Sequence, residues 1–372
     1  MDQEPNATLQ AGIRENAITQ NIEPPEGSEA IRPEPSDLFI NNPVDFSVLR
    51  ELEGKSVLTA SQFSFDQVVE LAKLAAILEK IEIWPYHPLD GKIAVTAFFE
   101  ASTRTRTSFE SAVLRLDGKV ISIADGRTTG QAKGESLSDI GEMFNAYADL
   151  VIMRHTDTNG PDEILKNLRI PLINAGNGSG EHPTQALADW FALLKWMPAL
   201  ASPHHEGEPL LNFGILGTPG SMRAVKSFLL MSLLFKDHIG KVTVISEMAD
   251  PFGEEVTARL TEAGIDYEVS NDVREHLPTL DVIYMNSIAF LGDSYKSMDS
   301  RFKLNSESEI KKSTVILHPM ARLDELDTSL DSTAHNLYFS QAHGAVFIRQ
   351  ALLMAVLGRL SALPNLTDLK PI

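Results

Sequence analysis

From residue 64 onward the chain alternates between two apolar patterns, short continuous runs and stretches repeated at helical spacing. Val68, Leu71, Ala72, Ala75 and Leu78 share one helical face, Ser64 can cap that helix, and Gln67 can reach back to the cap. The spacing therefore predicts a first structured helix starting at Ser64. Ile93 to Phe99 is a continuous apolar run that reads as a buried strand. Phe109, Val113 and Leu116 then repeat at helical spacing, with Gly118 expected to close that element. Further strands are expected at Val120 to Ile123, Leu150 to Met153 and Leu172 to Asn174. Helices are expected from Ser136 to Tyr147 and from Pro183, a favourable first helical residue, to about Trp196.

The stretch from Ala199 to Pro209, with Pro203, Pro209 and the adjacent His204 and His205, interrupts this alternation and reads as a domain boundary with solvated histidines. A second series follows it. Strands are expected at Leu211 to Leu216, Val242 to Ile245, Val282 to Met285 and Thr314 to Leu317. Helices are expected at Ser221 to Phe235, Glu254 to Ala263 and Ala345 to Leu360. Two strand–helix series in sequence predict an α/β fold of two doubly wound parallel-sheet domains.

Composition narrows the class. The 372 residues allow two domains, and 43% apolar with 22% charged residues is the balance of a globular chain. A formal charge of −19 disfavours nucleic acid and anionic membrane as partners. With no cysteine there is no disulfide, thiolate nucleophile or cysteine-ligated zinc, which fits a cytoplasmic protein. The longest apolar run, near Phe228 to Phe235, falls far short of the roughly 20 residues a membrane helix needs. No secretory signal is visible. Residues 1 to about 45 carry nine acidic side chains, two arginines and six prolines, and read as a disordered or loosely docked tail.

The candidate chemistry begins where the strand ending at Phe99 runs into Glu100-Ala101-Ser102-Thr103-Arg104-Thr105-Arg106-Thr107. A helix N-terminus offers unpaired N–H groups and a positive dipole end, and Ser102, Thr103 and Thr105 add hydroxyl donors, so the turn suits a phosphate. Arg104 and Arg106, two apart, point different ways; Arg104 is the expected ligand and Arg106 is left for a structural partner. Alone, the turn fits an ordinary N-capped helix with surface arginines equally well. No P-loop is present, which favours a small phosphorylated substrate over a nucleoside triphosphate. Ligands of open parallel sheets bind beyond the carboxyl ends of the strands. There the chain offers Arg154-His155, the Gly176 to Gly180 loop with His182, and His318-Pro319. A rival reading comes from Phe213-Gly214-Ile215-Leu216-Gly217-Thr218-Pro219-Gly220, which looks like a dinucleotide fingerprint. Its glycine spacing is GxxGxxG, and Pro219 sits inside the turn.

The ordered set FFEASTRTR, KGES, MRH, HPTQALAD and LHP resembles the aspartate/ornithine carbamoyltransferase family, most closely its aspartate branch, from about residue 55 to the C-terminus. The resemblance implies a carbamoyl phosphate domain at 51–198 plus 340–372, an acceptor domain at 199–339 and an N-terminal extension at 1–50. Interdomain helices would join the domains, with the last helix crossing back onto the first. It implies carbamoyl phosphate held by Ser102, Thr103, Arg104, Thr105 and Arg154, with Thr105, Arg154 and His182 polarising its carbonyl. Gln185 and the backbone carbonyls of Pro319 and Met320 would hold the carbamoyl NH2. Lys133, on the loop 125–133, would reach a neighbouring subunit's site in a homotrimer, with Thr129 where serine is usual. Arg223 would hold the acceptor's α-carboxylate, and Glu100 would orient an arginine. The catalytic set is Arg104, Thr105, Arg154, His182 and Lys133, with no metal, cofactor or covalent intermediate.

At the acceptor site the chain departs from the family. Ser287 and Ala289 stand where the aspartate branch has an arginine and a glutamine, Phe290-Leu291-Gly292 lacks the usual charged residues, and Ala321 replaces a proline. Lys133 or Arg322 would have to compensate. Carbamoyl transfer to aspartate in pyrimidine biosynthesis is the expected function. Transfer to another amine and a non-catalytic paralogue stay open, as does a regulatory or dihydroorotase-like partner chain.

Overall fold

The computed structural model describes residues 33–286 and 300–363. The first part of the chain supplies α1 (Phe46–Arg50), α2 (Phe65–Lys80), β1 (Ile93–Phe98), α3 (Thr103–Arg115), β2 (Lys119–Ile123) and α4 (Leu137–Tyr147). It continues with β3 (Leu150–His155), α5 (Gly160–Leu165), β4 (Leu172–Asn177) and α6 (Pro183–Trp196). The second part supplies β5 (Leu211–Leu216), α7 (Arg223–Ser232), β6 (Ile239–Ile245), α8 (Gly253–Ala263) and β7 (Asp266–Ser270). After these come β8 (Val282–Tyr284), β9 (Val315–Leu317) and α9 (Tyr338–Val356).

Two parallel sheets result, ordered β2-β1-β3-β4 and β7-β6-β5-β8-β9. The expected α/β class with two doubly wound sheets is therefore borne out. Each sheet reverses its winding once, between β1 and β3 and between β5 and β8. Such switch points leave a crevice beyond the strand ends, and this sets where a ligand can enter. The last helix, apolar on nearly every face, packs against α2, α3 and α6 of the first part, as expected of a crossing-back helix.

Local signals account for most elements. Ser64 caps α2 by accepting from the Gln67 N–H at 3.1 Å while the Gln67 side chain accepts from the Ser64 N–H at 3.2 Å. Pro183 opens α6 as expected. Other expectations need correction. Residues from Glu34 onward are docked: Leu38 is buried, Glu34 pairs with Lys80, and α1 precedes the helix at Ser64. At the end of α3 the left-handed conformation falls on Asp117 (φ 65°), not on Gly118. Gly118 is small for another reason, since a Cβ there would lie 2.8 Å from Val113 Cγ1. The final helix starts at Tyr338, two turns before the expected Ala345. The polar, half-exposed β7 and the short α5 carry no apolar pattern that would announce them.

Candidate active site

A cavity of about 1000 Å³ opens at the crevice between the two sheets. Its walls come largely from segments beyond the carboxyl ends of the strands, with helices α6 and α9 adding His182, Gln185, Gln341 and Arg349. Ala101 to Thr105 follow β1 and Arg154 lies in β3, while Ser221 to Ala224 follow β5 and Asn286 follows β8; His318 to Met320 follow β9. The cavity brings together Ser102, Thr103, Arg104, Thr105, Arg154, His182, Gln185, Arg223, Pro319 and Met320. Ser287 and Ala289 lie outside the described residues, as does Phe290-Leu291-Gly292.

Charge is the first notable property. Arg104, Arg154, Arg223 and Arg349 line the cavity, and among the described residues no carboxylate does. In a chain of formal charge −19 this is a local reversal that favours an anionic ligand. Ser102 takes the N-cap position of α3 without spending its hydroxyl on the helix, so that oxygen and the first N–H groups remain available. Arg106 is committed to Glu110 at 3.1 Å and Ser122 at 3.2 Å, while the exposed Arg104 lines the cavity.

Glu100 sits behind the wall and holds two of the arginines. Arg154 Nη2 donates to Glu100 Oε1 at 2.8 Å, and Arg223 donates to both Glu100 oxygens at 2.8 and 2.9 Å. Arg223 also donates to the Gly178 carbonyl at 2.9 Å. Burial works against the Glu100 carboxylate, but the Arg223 and Arg154 guanidiniums outweigh it and hold the group below the usual carboxylate range. Gly176, at φ 114°, passes so close that a Cβ would lie 3.1 Å from Arg223 Nε and 3.4 Å from Arg154 Nη1.

His182 is buried at the start of α6, its backbone N–H donating to Ser227 Oγ at 2.8 Å. Burial first, then the positive charges of Arg154, Arg349 and Arg223, push its pKa well below the usual imidazole value. A neutral ring can serve there as a fixed N–H donor. Gln185, one turn on, lines the cavity and donates through Nε2 to Asp189 Oδ1 at 2.7 Å. Opposite, His318 shapes the turn that carries Pro319 and Met320. Its Nδ1 accepts the Met320 N–H at 2.9 Å and its Nε2 meets Glu325 at 2.7 Å, which places the ring proton on Nε2. The Met320–Ala321 peptide is cis.

Several residues singled out in the sequence stand apart. Lys133 is exposed and does not line the cavity. The Thr129 hydroxyl donates to the Gly126 carbonyl at 2.6 Å. Arg322 is tied to Asp331 and lies over the Tyr338 ring at 5.5 Å, so it does not serve the acceptor side of the cavity. His155 turns toward a second cavity of about 580 Å³ and accepts the Asp157 N–H at 2.9 Å. The glycine turn after β5 has a steric role: Gly217 (φ 141°) leaves room for Met222 Sδ, which a Cβ would meet at 2.9 Å. Among the described residues no group of His, Cys, Asp or Glu is placed to hold a metal, and no helix is long and apolar enough to cross a membrane.

Sequence reasoning missed Asp189, Gln341 and Arg349. Arg349 is buried, donates to Ser108, and lies 4.7 Å from the Phe109 ring centroid; burial lowers its pKa to about 10. The available signal was polar residues inside otherwise apolar helical stretches, such as Asp189 beside Trp190 and Phe191.

Comparison with known proteins agrees with this geometry. Residues 55–195 match the aspartate/ornithine carbamoyltransferase carbamoyl-P binding domain, and residues 211–356 match the Asp/Orn binding domain of the same family. The chain is 33% identical over 324 residues to the aspartate carbamoyltransferase catalytic subunit of Alkaliphilus oremlandii, covering 85% of this chain and 95% of that one. It is 32% identical over 319 residues to the chloroplastic aspartate carbamoyltransferase of Arabidopsis thaliana, covering 83% and 79%. The aspartate transcarbamoylase of Trypanosoma cruzi, in complex with carbamoyl aspartate and phosphate, superposes with a TM-score of 0.73 at 27% identity, over 86% of this chain and all of that one. With such matches across both sheets, the chain belongs to the aspartate/ornithine carbamoyltransferase family of enzymes.

Proposed function

We propose that this enzyme transfers the carbamoyl group of carbamoyl phosphate to the amino group of L-aspartate, giving N-carbamoyl-L-aspartate and phosphate, a step of pyrimidine biosynthesis. The observation that carries the reading is a cavity wall that, among the described residues, holds four arginines and no carboxylate, set over the open N-terminus of α3. The relatives are named as aspartate carbamoyltransferases, and the Trypanosoma cruzi enzyme has been solved with carbamoyl phosphate and aspartate together.

In this reading Ser102, Thr103, Arg104, Thr105 and Arg154 hold the phosphate. Thr105, Arg154 and the neutral His182 donate to the carbonyl oxygen. The amine nitrogen attacks the carbonyl carbon, a tetrahedral species forms, and the bond from carbon to the phosphate oxygen breaks. Phosphate leaves with the amine proton. Preorganised donors stabilise the developing oxyanion, and holding both substrates in place supplies much of the remaining acceleration. Arg223 receives the acceptor's α-carboxylate, and Gln185 with the Pro319 and Met320 carbonyls receives the carbamoyl NH2.

Residues 51–198 with 340–372 form the carbamoyl phosphate domain and 199–339 the acceptor domain, a division supported by the packing of α9 on α2, α3 and α6. A homotrimer with shared sites accounts for Lys133 lying outside its own chain's cavity. The exposed Leu114 and Ile121, beside and on the edge strand β2, suit burial against a second copy. The absence of cysteine supports a cytoplasmic location.

A second reading has a basis in the sequence: Ser287 and Ala289 stand where the resemblance would place an arginine and a glutamine. There the acceptor is an amine lacking a second carboxylate. Turnover of carbamoyl phosphate against a panel of amino acids and simple amines tests both: aspartate as the best acceptor supports the first, and an uncharged or monocarboxylic amine as the best acceptor supports the second.

A further inference from the structure

Asp189 lies on α6, one turn beyond Gln185, and is fully buried. Its Oδ1 accepts from two side-chain amides, Gln185 Nε2 at 2.7 Å and Gln341 Nε2 at 2.5 Å. The two ends of an amide have nearly the same shape and differ mainly in hydrogen-bond polarity, so an acceptor placed at one end decides which end faces elsewhere. For Gln341 a second contact checks that orientation. Its Oε1 accepts the His318 backbone N–H at 2.8 Å, and a backbone N–H can only donate. Gln341 Nε2 must therefore face Asp189. By the same polarity Gln185 presents its carbonyl oxygen away from Asp189, on the side that lines the cavity.

We propose that Asp189 is a positioning residue for carbamoyl recognition: its Oδ1 turns the Gln185 carbonyl toward the carbamoyl NH2 and, through Gln341, fixes the backbone at His318 that leads into Pro319 and Met320. The proposal rests on the carbamoyl phosphate reading of the cavity. It joins three elements that meet only in the folded chain: α6, α9 and the turn after β9. The remaining oxygen, Oδ2, has no hydrogen-bond partner, and the buried Tyr284 hydroxyl acts on the same carboxyl. Burial pushes the carboxyl up to about 7, and Arg349 opposes this from α9. Either protonation state serves, because a proton on Oδ2 leaves Oδ1 an acceptor.

The test compares carbamoyl phosphate with acetyl phosphate, which carries a methyl group in place of the NH2 and has no donor for Gln185. Dissociation constants for both are measured calorimetrically on the full chain as wild type, Asp189→Asn and Asp189→Leu, with a thermal melt for each. Wild type is expected to bind carbamoyl phosphate about tenfold tighter than acetyl phosphate, the value of one well-placed hydrogen bond. Asp189→Asn keeps that preference, since its carbonyl still accepts from both amides. Asp189→Leu loses it through weaker carbamoyl phosphate binding alone, with acetyl phosphate within about twofold of wild type. If the leucine variant does not fold, Asp189→Ser, which cannot reach both amides, gives the same readout. A leucine or serine variant that keeps the wild-type preference, or weakens both ligands equally, overturns the proposal. A wild type that binds both ligands equally removes the role of Gln185 and the proposal with it. Wild type that binds neither ligand overturns the carbamoyl phosphate reading itself.

Discussion

Glu100 and Arg223 face each other across the crevice between the two sheets, joined by two hydrogen bonds of 2.8 and 2.9 Å, and the same carboxylate holds Arg154. One residue thereby orients a guanidinium from each side of the cavity. Glu100→Ala frees Arg154 and leaves Arg223 with its contact to the Gly178 carbonyl alone, so each loses a charge-assisted contact of about 1.5–3 kcal/mol. Steady-state kinetics on this variant should show kcat/KM for the acceptor falling about tenfold to a hundredfold. Unchanged kinetics would mean that the arginines are held by other contacts.

The arginines of the α3 turn give a paired test. Arg104→Ala removes a guanidinium from the proposed dianion site and is expected to cost about 2–4 kcal/mol in kcat/KM. Arg106→Ala breaks its contacts to Glu110 and Ser122 and is expected to lower the melting temperature while leaving carbamoyl phosphate affinity within about threefold. Titration of both variants with carbamoyl phosphate separates them, and equal affinity losses would contradict the division of roles.

Lys133 tests the shared site. Arg104→Ala and Lys133→Ala proteins, each weak alone, should regain activity when dissociated and mixed, because some hybrid interfaces then carry neither lesion. A monomeric wild type by sedimentation, or no recovery in verified hybrids, counts against a neighbour's contribution.

Asp189 predicts a pH dependence of stability. Its folded pKa, raised by burial to about 7, lies above the unfolded value near 3.8, so between those values the folded chain binds more of this proton. Stability therefore falls as pH rises through that window. The facing groups are Tyr284, Gln185, Gln341 and the positive Arg349. Asp189→Asn removes the titration, so its melting temperature relative to wild type should increase from pH 5 to pH 8. A constant difference would show that Asp189 does not titrate there.

Much of this was legible in the sequence because the signals are local. The Ser64–Gln67 capping pair, Pro183 at a helix start and two arginines two apart in the α3 turn each depend on residues within one or two turns. What escaped depends on distant partners. Asp189 gains its role from Gln341, 152 positions away, and Arg349 reaches Ser108 across 241 positions. Arg322, read as a possible partner for the acceptor, is instead taken by Asp331 nine residues on. The glycine turn after β5 imitates a nucleotide motif because close packing and phosphate approach both require the absence of a Cβ.

Carbamoyl transfer from carbamoyl phosphate to aspartate can be followed in the purified chain by incubating it with both substrates and measuring the ureido product and phosphate together. Saturable formation of N-carbamoyl-L-aspartate is expected, one phosphate released per product, with a KM for aspartate of roughly millimolar or lower. Carbamoyl phosphate bound by the wild type but no carbamoyl aspartate formed at any aspartate concentration would contradict it.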